Sequence, residues 1–389
     1  MKIAQVNSYF HPFMIGGAEW YVYNMSKELV KSGHEVTVFT ADRYGHKSAP
    51  AEEVVDGINV RRIPLRLDWS YRMKLWDGLS SALKGESFDI IHTYDYAQRH
   101  SVDALRAARS SHTGTALTIF DVHSSIPRRW YKRVPMSYLD GYFARRTFPL
   151  ATRILVRAPD LIKGLPEIGR WESKVRISPS GVRPESFLKY DGEEFRRRFS
   201  IEGSPLVLFL GRLNPLKGPQ LIIEVAPRLL KEFPGAEFVF VGPDQSGFKS
   251  VLEARAKELE ISSHVHFTGM ISDFTEKMQA YASCDVFCLP TSYEGTSQAI
   301  FEAMTQGKPV VATRTGGIPY QVEDGQDGYL VDYGDLDALA ETLASSLRDL
   351  SKAGEVGARA RAKVMRFQYP ALAVGLQSIY EEIIQNNGN

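Results

Sequence analysis

Cysteine is nearly absent, with two in 389 residues. That excludes a disulfide scaffold and a four-thiolate zinc site, and it points to a reducing compartment. Long hydrophobic runs are missing too: nowhere do about 18 consecutive apolar residues occur, as a membrane-spanning helix would need. The opening MKIAQV has no basic, apolar and small-residue leader, so the expectation is a soluble cytoplasmic protein. Net charge is as scarce, at +1. What is present is ordinary globular composition, 43% hydrophobic and 24% charged, which excludes a disordered chain and allows two or three domains at roughly 100–200 residues each.

The small net charge is a cancellation. Residues 1–184 hold 27 Lys/Arg against 18 Asp/Glu, or +9, and residues 185–389 hold 20 against 28, or −8. Between Arg128 and Arg176 the ratio rises to 12 cations against 4 acids. An anionic partner is therefore expected at the first half, either an acceptor molecule or an acidic membrane surface, with Arg128, Arg129, Lys132 and Arg133 as its contact and with peripheral attachment at the membrane inner face. Trp130, Tyr131, Tyr138 and Tyr142 lie in the same stretch, a mixture that nucleic acid or lipid could meet. No recognised nucleic-acid module accompanies it, so nucleic acid is not expected, and a solvated basic face is the plain alternative.

Short apolar runs alternate with amphipathic stretches almost from end to end. Lys2–Asn7, Glu35–Thr40, Ile58–Ile63, Ile90–Thr93, Thr115–Phe120 and Arg153–Val156 read as strands. After the turn-rich SPSGVRPE at 178–185 a second series begins: strands 205–210, 237–241, 265–268, 285–290, 309–313 and 328–331, with helices at 220–233, 250–259, 297–306 and 337–349. Such β-α alternation predicts an α/β fold of two doubly wound, parallel-sheet domains, 1–184 and 185–368, with a last helix at 369–385 after the break at Pro370. Ligands of open α/β sheets sit beyond the carboxyl ends of the strands, and two such sheets facing each other make a cleft.

Four segments fall at those carboxyl ends. Gly16-Gly17 lies between the first strand and its helix, where glycines let backbone approach a phosphate and a plain tight turn would use them too. It is not the G-x-G-x-x-G of dinucleotide enzymes. Gly211-Arg212-Leu213-Asn214-Pro215-Leu216-Lys217-Gly218 follows the strand PLVLFL and carries two cations able to close on a diphosphate, unless it is only a solvated loop. Glu294-Gly-Thr-Ser-Gln-Ala-Ile-Phe-Glu302 opens a helix capped by Thr296 or Ser297. On a helix, eight residues separate the carboxylates by about 12 Å and roughly 80°. That spacing argues against a glycosidase pair and suits a long ligand whose phosphates meet the helix N-terminus. Gly316-Gly317 follows the strand PVVAT and again suits either a phosphate or a tight loop.

Cys284 and Cys288 have no partner cluster, and His92, His100 and His112 share no metal spacing, so no metal site is expected. Asp335-Leu336-Asp337 mimics a metal-holding D-x-D, yet it precedes a helical run where an Asp cap needs no metal.

In order and spacing these motifs resemble the retaining glycosyltransferases of family 4, which have the GT-B fold. The resemblance covers nearly the whole chain and is most specific from Pro205 to Leu347, in the loop 211–218, the E-x7-E at 294–302 and Gly316-Gly317. Ser180-Gly181-Val182 resembles the family's inter-domain turn. The resemblance implies a nucleotide-diphosphate sugar, with UDP or GDP as the nucleotide, held mainly by the C-terminal domain. It implies an acceptor, whether glycan, lipid-linked sugar or small molecule, held by the N-terminal domain, against which the last helix packs. Arg212 and Lys217 would neutralise the diphosphate, with Gly16 and Gly17 approaching it from the other domain. Glu302 would bind ribose hydroxyls, Glu294 would lie by the sugar, and Thr296 and Ser297 would offer backbone N–H groups to phosphate. The reaction implied is metal-independent, cofactor-free front-side displacement with retention.

Similar proteins commonly place a His near the sugar after an N-domain strand. Phe120 occupies the aligned position here, which leaves the nearby His123 and Asp121 as candidates. Arg183 stands where the family often has an acid. Two alternatives stay open: a nucleotide-sugar epimerase, which shares this fold, and a catalytically silent nucleotide-sugar-binding protein.

Overall fold

The computed structural model describes residues 1–14, 16–68, 73–120 and 130–387, with side chains at all of these except 130–136 and 387. Asp121, His123, Arg128 and Arg129 lie outside the described residues, as do the side chains of Lys132 and Arg133. The chain forms two compact units, Met1–Gly181 with Tyr369–Asn389, and Val182–Gln368. The first unit thus ends at Gly181 rather than at 184.

In the first unit, eight strands lie in the order Val175–Ile177, Arg153–Val156, Gly114–Ile119, Ile90–Tyr94, Lys2–Val6, Glu35–Ala41, Ile58–Ile63, Glu52–Val55. All pair in parallel except the edge strand Glu52–Val55, which runs antiparallel to Ile58–Ile63. Neighbouring residues on one strand enter different cores. Ile3, Val38 and Ile90 pack with the helix Gly17–Lys31, whereas Ala4, Phe39 and Ile91 pack with Leu79, Leu83 and Ala104 on the other face. This period of two with both faces buried is what makes the strands read as continuous apolar runs.

The last helix, Tyr369–Asn387, presents Tyr369, Ala373, Leu376, Tyr380 and Ile383 as one buried stripe. The spacing alternates between four and three residues, as one helix face requires. Two polar ties add to this burial. His92 places Nδ1 2.6 Å from the Tyr380 hydroxyl and Nε2 2.7 Å from Thr118 Oγ1. Glu382 accepts from Arg153 at 2.7 Å and from Arg176 at 2.6 Å. Gly181 is needed here, because a Cβ would come within 2.6 Å of the Tyr369 ring.

The second unit carries six parallel strands in the order Val265–Gly269, Glu237–Val241, Leu206–Leu210, Val286–Leu289, Val310–Thr313, Tyr329–Val331. Numbered along this unit the order is 3-2-1-4-5-6, the Rossmann arrangement, and its direction reverses between Leu206–Leu210 and Val286–Leu289. The expected strands are all present. Sequence reading missed the edge strands Glu52–Val55 and Val175–Ile177 and the ribbons Arg43–Tyr44/Lys47–Ser48 and Leu65–Asp68/Lys74–Trp76. Most are short, and several are rich in charge, so their pattern resembles that of loops.

Burial pushes the imidazoles of His92 and His100 down to about 3. His100 stacks on Trp76 with ring centres 4.5 Å apart. Both histidines are neutral when folded, and both take up protons near pH 6.5 once unfolded. Their contribution to stability is therefore present above pH 6.5 and is lost as pH falls towards 3, at about 1.4 kcal/mol per pH unit for each. All five tryptophans precede residue 182, so tryptophan fluorescence reports the first unit alone. Its urea midpoint should fall steadily between pH 7 and pH 5, and a flat midpoint would contradict the buried neutral state. Tyr380→Phe should cost about 1–3 kcal/mol by the same readout.

Candidate active site

In open α/β sheets ligands sit beyond the carboxyl ends of the strands where the strand order reverses, which in the second sheet is between Leu206–Leu210 and Val286–Leu289. Lys217 comes from the loop on one side of it and Glu294 from the loop on the other. Their side chains form an ion pair, with exposures of only 19% and 13%. Lys217 ends a short 3-10 turn, Pro215–Lys217, which Asn214 caps by accepting the Lys217 N–H at 3.0 Å. The loop is then pressed onto its neighbour. Gly218 has φ +79°, and a Cβ there would lie 1.9 Å from the Pro290 carbonyl oxygen. The Leu216 carbonyl accepts from Thr291 Oγ1 and from the Ser292 N–H, each at 2.8 Å.

The turn at 290–297 is fixed from its other side by the loop after Val310–Thr313. Thr315 Oγ1 donates to the Thr291 carbonyl at 3.2 Å, and the Gly317 N–H donates to the Glu294 carbonyl at 3.0 Å. Gly316, at φ +54°, lies so close that a Cβ would sit 1.8 Å from that same carbonyl oxygen. Gly316-Gly317 therefore positions Glu294, and the Gly317 N–H is spent on it rather than offered to a phosphate.

The helix opened by this turn spans Gln298–Thr305, and Ser297 is its N-cap, accepting from the Ile300 N–H at 3.4 Å. Glu294 precedes the helix, so the two glutamates are not separated by eight helical residues as expected, and only Glu302 is helical. A second correction concerns Ser297. Its N–H donates to Gln321 Oε1 at 2.6 Å, and Gln321 Nε2 returns a bond to the Ser297 carbonyl at 2.8 Å. The Ser297 N–H is thus already satisfied, by a fully buried glutamine. Thr296 stands half-buried in the turn before it.

Glu302 is buried, with one oxygen 2.6 Å from Lys277 Nζ and the other accepting from the Tyr281 hydroxyl at 3.1 Å. Burial and the Glu302 charge raise the Tyr281 phenol well above its ordinary value, so it remains a donor. Arg212 is the contrast. It is exposed, and its guanidinium has no hydrogen-bond or acidic partner among the described residues. Lys277, Tyr281 and Gln321 escaped sequence reading, because each lies on another helix and meets the site only through folding.

In the first unit, Gly16 is the N-cap of the helix Gly17–Lys31. Neither glycine has a positive φ. A Cβ on Gly17 would meet nothing within 4 Å, and one on Gly16 only the end of Glu19, at 3.3 Å. Neither turn geometry nor packing among the described residues requires these glycines, which leaves their backbone open to a ligand. Phe120 lies among aromatic rings, with the Arg157 guanidinium carbon 5.2 Å from its ring centre. It stacks on Tyr94 with centroids 5.6 Å apart and meets Tyr21 edge-on at 5.7 Å. Arg157, also missed, follows the strand Arg153–Val156. It is buried, bonds Ser180 Oγ and lies 3.9 Å over the Tyr21 ring.

Asp335 caps the helix Leu336–Arg348 by accepting from the Ala338 N–H at 2.9 Å, as its place in the sequence implied. Cys284 is a buried free thiol that burial pushes up to about 12. Among the described residues, no group of three His, Cys, Asp or Glu side chains is arranged to hold a metal ion.

Residues 15–186 match the Glycosyltransferase Family 4 model and residues 191–363 match Glycosyl transferases group 1. A D-inositol 3-phosphate glycosyltransferase of Nocardia farcinica is 27% identical, over 94% of this chain and 84% of that one. A phosphatidyl-myo-inositol mannosyltransferase of Mycolicibacterium smegmatis is 28% identical, over 95% and 90%. Among solved structures, HepE of Anabaena in complex with UDP superposes with a TM-score of 0.79 at 19% identity, covering 98% of this chain and all of that one. Sucrose-phosphate synthase of Thermosynechococcus elongatus does so at 0.78 and 20%, covering 99% of each. The two family models divide nearly the whole chain between them, and the chain belongs to glycosyltransferase family 4, as a glycosyltransferase of the GT-B fold.

Proposed function

We propose that the protein is a retaining, metal-independent glycosyltransferase that moves a sugar from a UDP- or GDP-sugar to an acceptor hydroxyl. The observation that carries this reading is the pairing of Lys217 with Glu294 at the reversal point of the second sheet, on the loop that also bears the exposed Arg212, which has no hydrogen-bond or acidic partner among the described residues. A lysine so placed can exchange its carboxylate for the more highly charged diphosphate, and the exposed guanidinium can bind it bidentately. Glu294, released, is then available to sugar hydroxyls. Glu302 is oriented by Lys277 and Tyr281, as a group that accepts from two ribose hydroxyls must be. The complexes of HepE with UDP and with UDP and glucose support a nucleotide-sugar donor by analogy of fold.

In the proposed step the bond from the anomeric carbon to the diphosphate oxygen breaks, and its electron pair leaves with the diphosphate. The acceptor oxygen bonds to the same face of that carbon, and its proton passes to the departing phosphate oxygen. Charge builds on the diphosphate, where Arg212 and Lys217 stabilise it without a metal. The acceptor is assigned to the first unit and to an anionic class, glycan, lipid-linked or small. Its support is the +9 balance of residues 1–184 and the phosphate-bearing inositols in the names of the two relatives. Asp121 and His123 remain candidates for the sugar-side group, and Gly16-Gly17 for a phosphate contact.

Thermal stabilisation by UDP against GDP identifies the donor base, since a ligand at 100 times its Kd adds about 2.7 kcal/mol. Arg212→Ala should weaken that nucleotide about ten- to a hundredfold in calorimetry. Lys217→Ala should lower kcat for sugar transfer at least about a hundredfold with circular dichroism unchanged. Sugar transfer unaffected in both Lys217→Ala and Glu302→Ala would overturn the reading. Gly316→Ala forces the backbone at Glu294 to move. It should cost about 1–3 kcal/mol of stability and lower transfer more than tenfold, as measured by unfolding and product release in parallel.

A further inference from the structure

The loop that leaves the strand Val310–Thr313 holds the turn at 290–297 at successive points, and the last of them is a side chain. Thr313 and Thr315 both donate through Oγ1 to the Thr291 carbonyl, and the Gly317 N–H donates to that of Glu294. Gln321 closes the single helical turn Ile318–Gln321 and meets Ser297 with both ends of its amide. Oε1 takes the Ser297 N–H while Nε2 donates to the Ser297 carbonyl. The reversed amide would set donor against donor and acceptor against acceptor, so its partners fix its orientation.

Gln321 is completely buried, as are Ile318 and Val322 in the same loop. An amide withdrawn from water is costly unless its bonds are made inside the protein. Ser297 is engaged at its other groups as well: its hydroxyl accepts from the Ile300 N–H, and its carbonyl accepts also from the Phe301 N–H at 3.4 Å. The loop that bears Gln321 is tied back to the sheet. The Arg314 N–H donates to the Val331 carbonyl at 2.9 Å, and Asp324 accepts from the Arg314 guanidinium at 2.8 Å and from the Leu330 N–H at 2.9 Å. Gln321 therefore connects the start of the helix Gln298–Thr305 to a firm support.

Ser297 lies between Glu294 and Glu302 in the chain. Gly317 fixes the backbone at Glu294, and Lys277 with Tyr281 fixes the Glu302 carboxylate. Those contacts hold the two ends separately, and the span between them depends on the junction at Ser297. We infer that Gln321 is a positioning residue for the donor: through Ser297 it sets Glu294 and Glu302 at the spacing that one nucleotide sugar requires. This role rests on the reading of Glu294 as the sugar-side contact and Glu302 as the ribose-side contact. An apolar side chain could fill the same space, but it would leave the Ser297 N–H without its acceptor.

The test is nucleotide binding by Gln321→Glu as a function of pH. A neutral carboxyl reproduces the amide, one oxygen accepting from the Ser297 N–H and the protonated one donating to the Ser297 carbonyl. A carboxylate keeps the first bond and turns a negative oxygen towards the carbonyl. Burial raises the pKa of the introduced carboxyl above its ordinary value of about 4.3, so the variant should resemble wild type in acid and fail as pH rises. UDP and GDP are each titrated into the full chain by calorimetry at about pH 5.5 and about pH 8. Affinities are taken relative to wild type at the same pH, which cancels titration of the nucleotide's own phosphate. For the nucleotide that wild type binds, Gln321→Glu should stay within about twofold at the lower pH and lose at least about tenfold at the higher, with the donor KM following. Gln321→Met keeps the size and loses both bonds, and should lose at least about tenfold at both. Circular dichroism checks folding, and Gln321→Met decides where the other variant does not fold. Unfolding midpoints that fall while nucleotide affinity and donor KM stay at wild-type values overturn the proposal, because Gln321 would then be structural only. Failure of both variants to fold overturns it for the same reason. A wild type that binds neither nucleotide overturns the donor reading itself, and this role with it, whereas a binding wild type with unaltered variants overturns this role alone.

Discussion

Three contacts that leave no room for a side chain hold the end of the second sheet together. Gly242 would place a Cβ 2.0 Å from the Gly211 carbonyl oxygen, Gly218 one 1.9 Å from that of Pro290, and Gly316 one 1.8 Å from that of Glu294. Loops that leave neighbouring parallel strands normally diverge, because each must accommodate its own side chains. Here backbone lies on backbone, and the functional side chains inherit their places from it: Lys217 adjoins Gly218, and Glu294 is the residue against which Gly316 is pressed. All three glycines have positive φ, a conformation that costs other residues strain.

On that backbone the charges are arranged in pairs. Lys217 with Glu294 and Lys277 with Glu302 each remove two ions from water, and partial burial makes either member costly without the other. The pairs differ in accessibility and hence in what they suit. Glu302 has both oxygens occupied by protein groups that fix its orientation, whereas Lys217 and Glu294 meet at the reversal point, on loops one of which bears the exposed Arg212. The Lys277–Glu302 pair is a rigid fixture, and the Lys217–Glu294 pair is the one proposed to exchange for a ligand of greater charge.

The first unit uses polarity for a different end. Its return helix is fastened by an apolar stripe, a histidine held neutral by burial and a carboxylate shared by two arginines. Glu382 is held down to about 2 by the hydrogen bonds and charges of Arg153 and Arg176. Those two arginines belong to the stretch whose excess charge pointed to an anionic partner, and part of that excess is neutralised internally.

The sequence by itself determined the two doubly wound sheets, since strands buried on both faces must be apolar throughout and their helices must show a 3.6-residue period. It also placed the glycine loops and E-x7-E at carboxyl ends of strands, because those positions follow from element order alone. What it could not determine was how the motifs share their hydrogen bonds. Gly317 and Ser297 looked like phosphate donors, yet their N–H groups are occupied by Glu294 and Gln321, partners 23 and 24 residues away in the chain. Lys277 and Tyr281 carry no motif, and they reach Glu302 only because two helices pack side by side. Local spacing records which residues are near in the chain, whereas satisfaction of buried polar groups depends on what folding brings near in space, and that was decided by the tertiary structure.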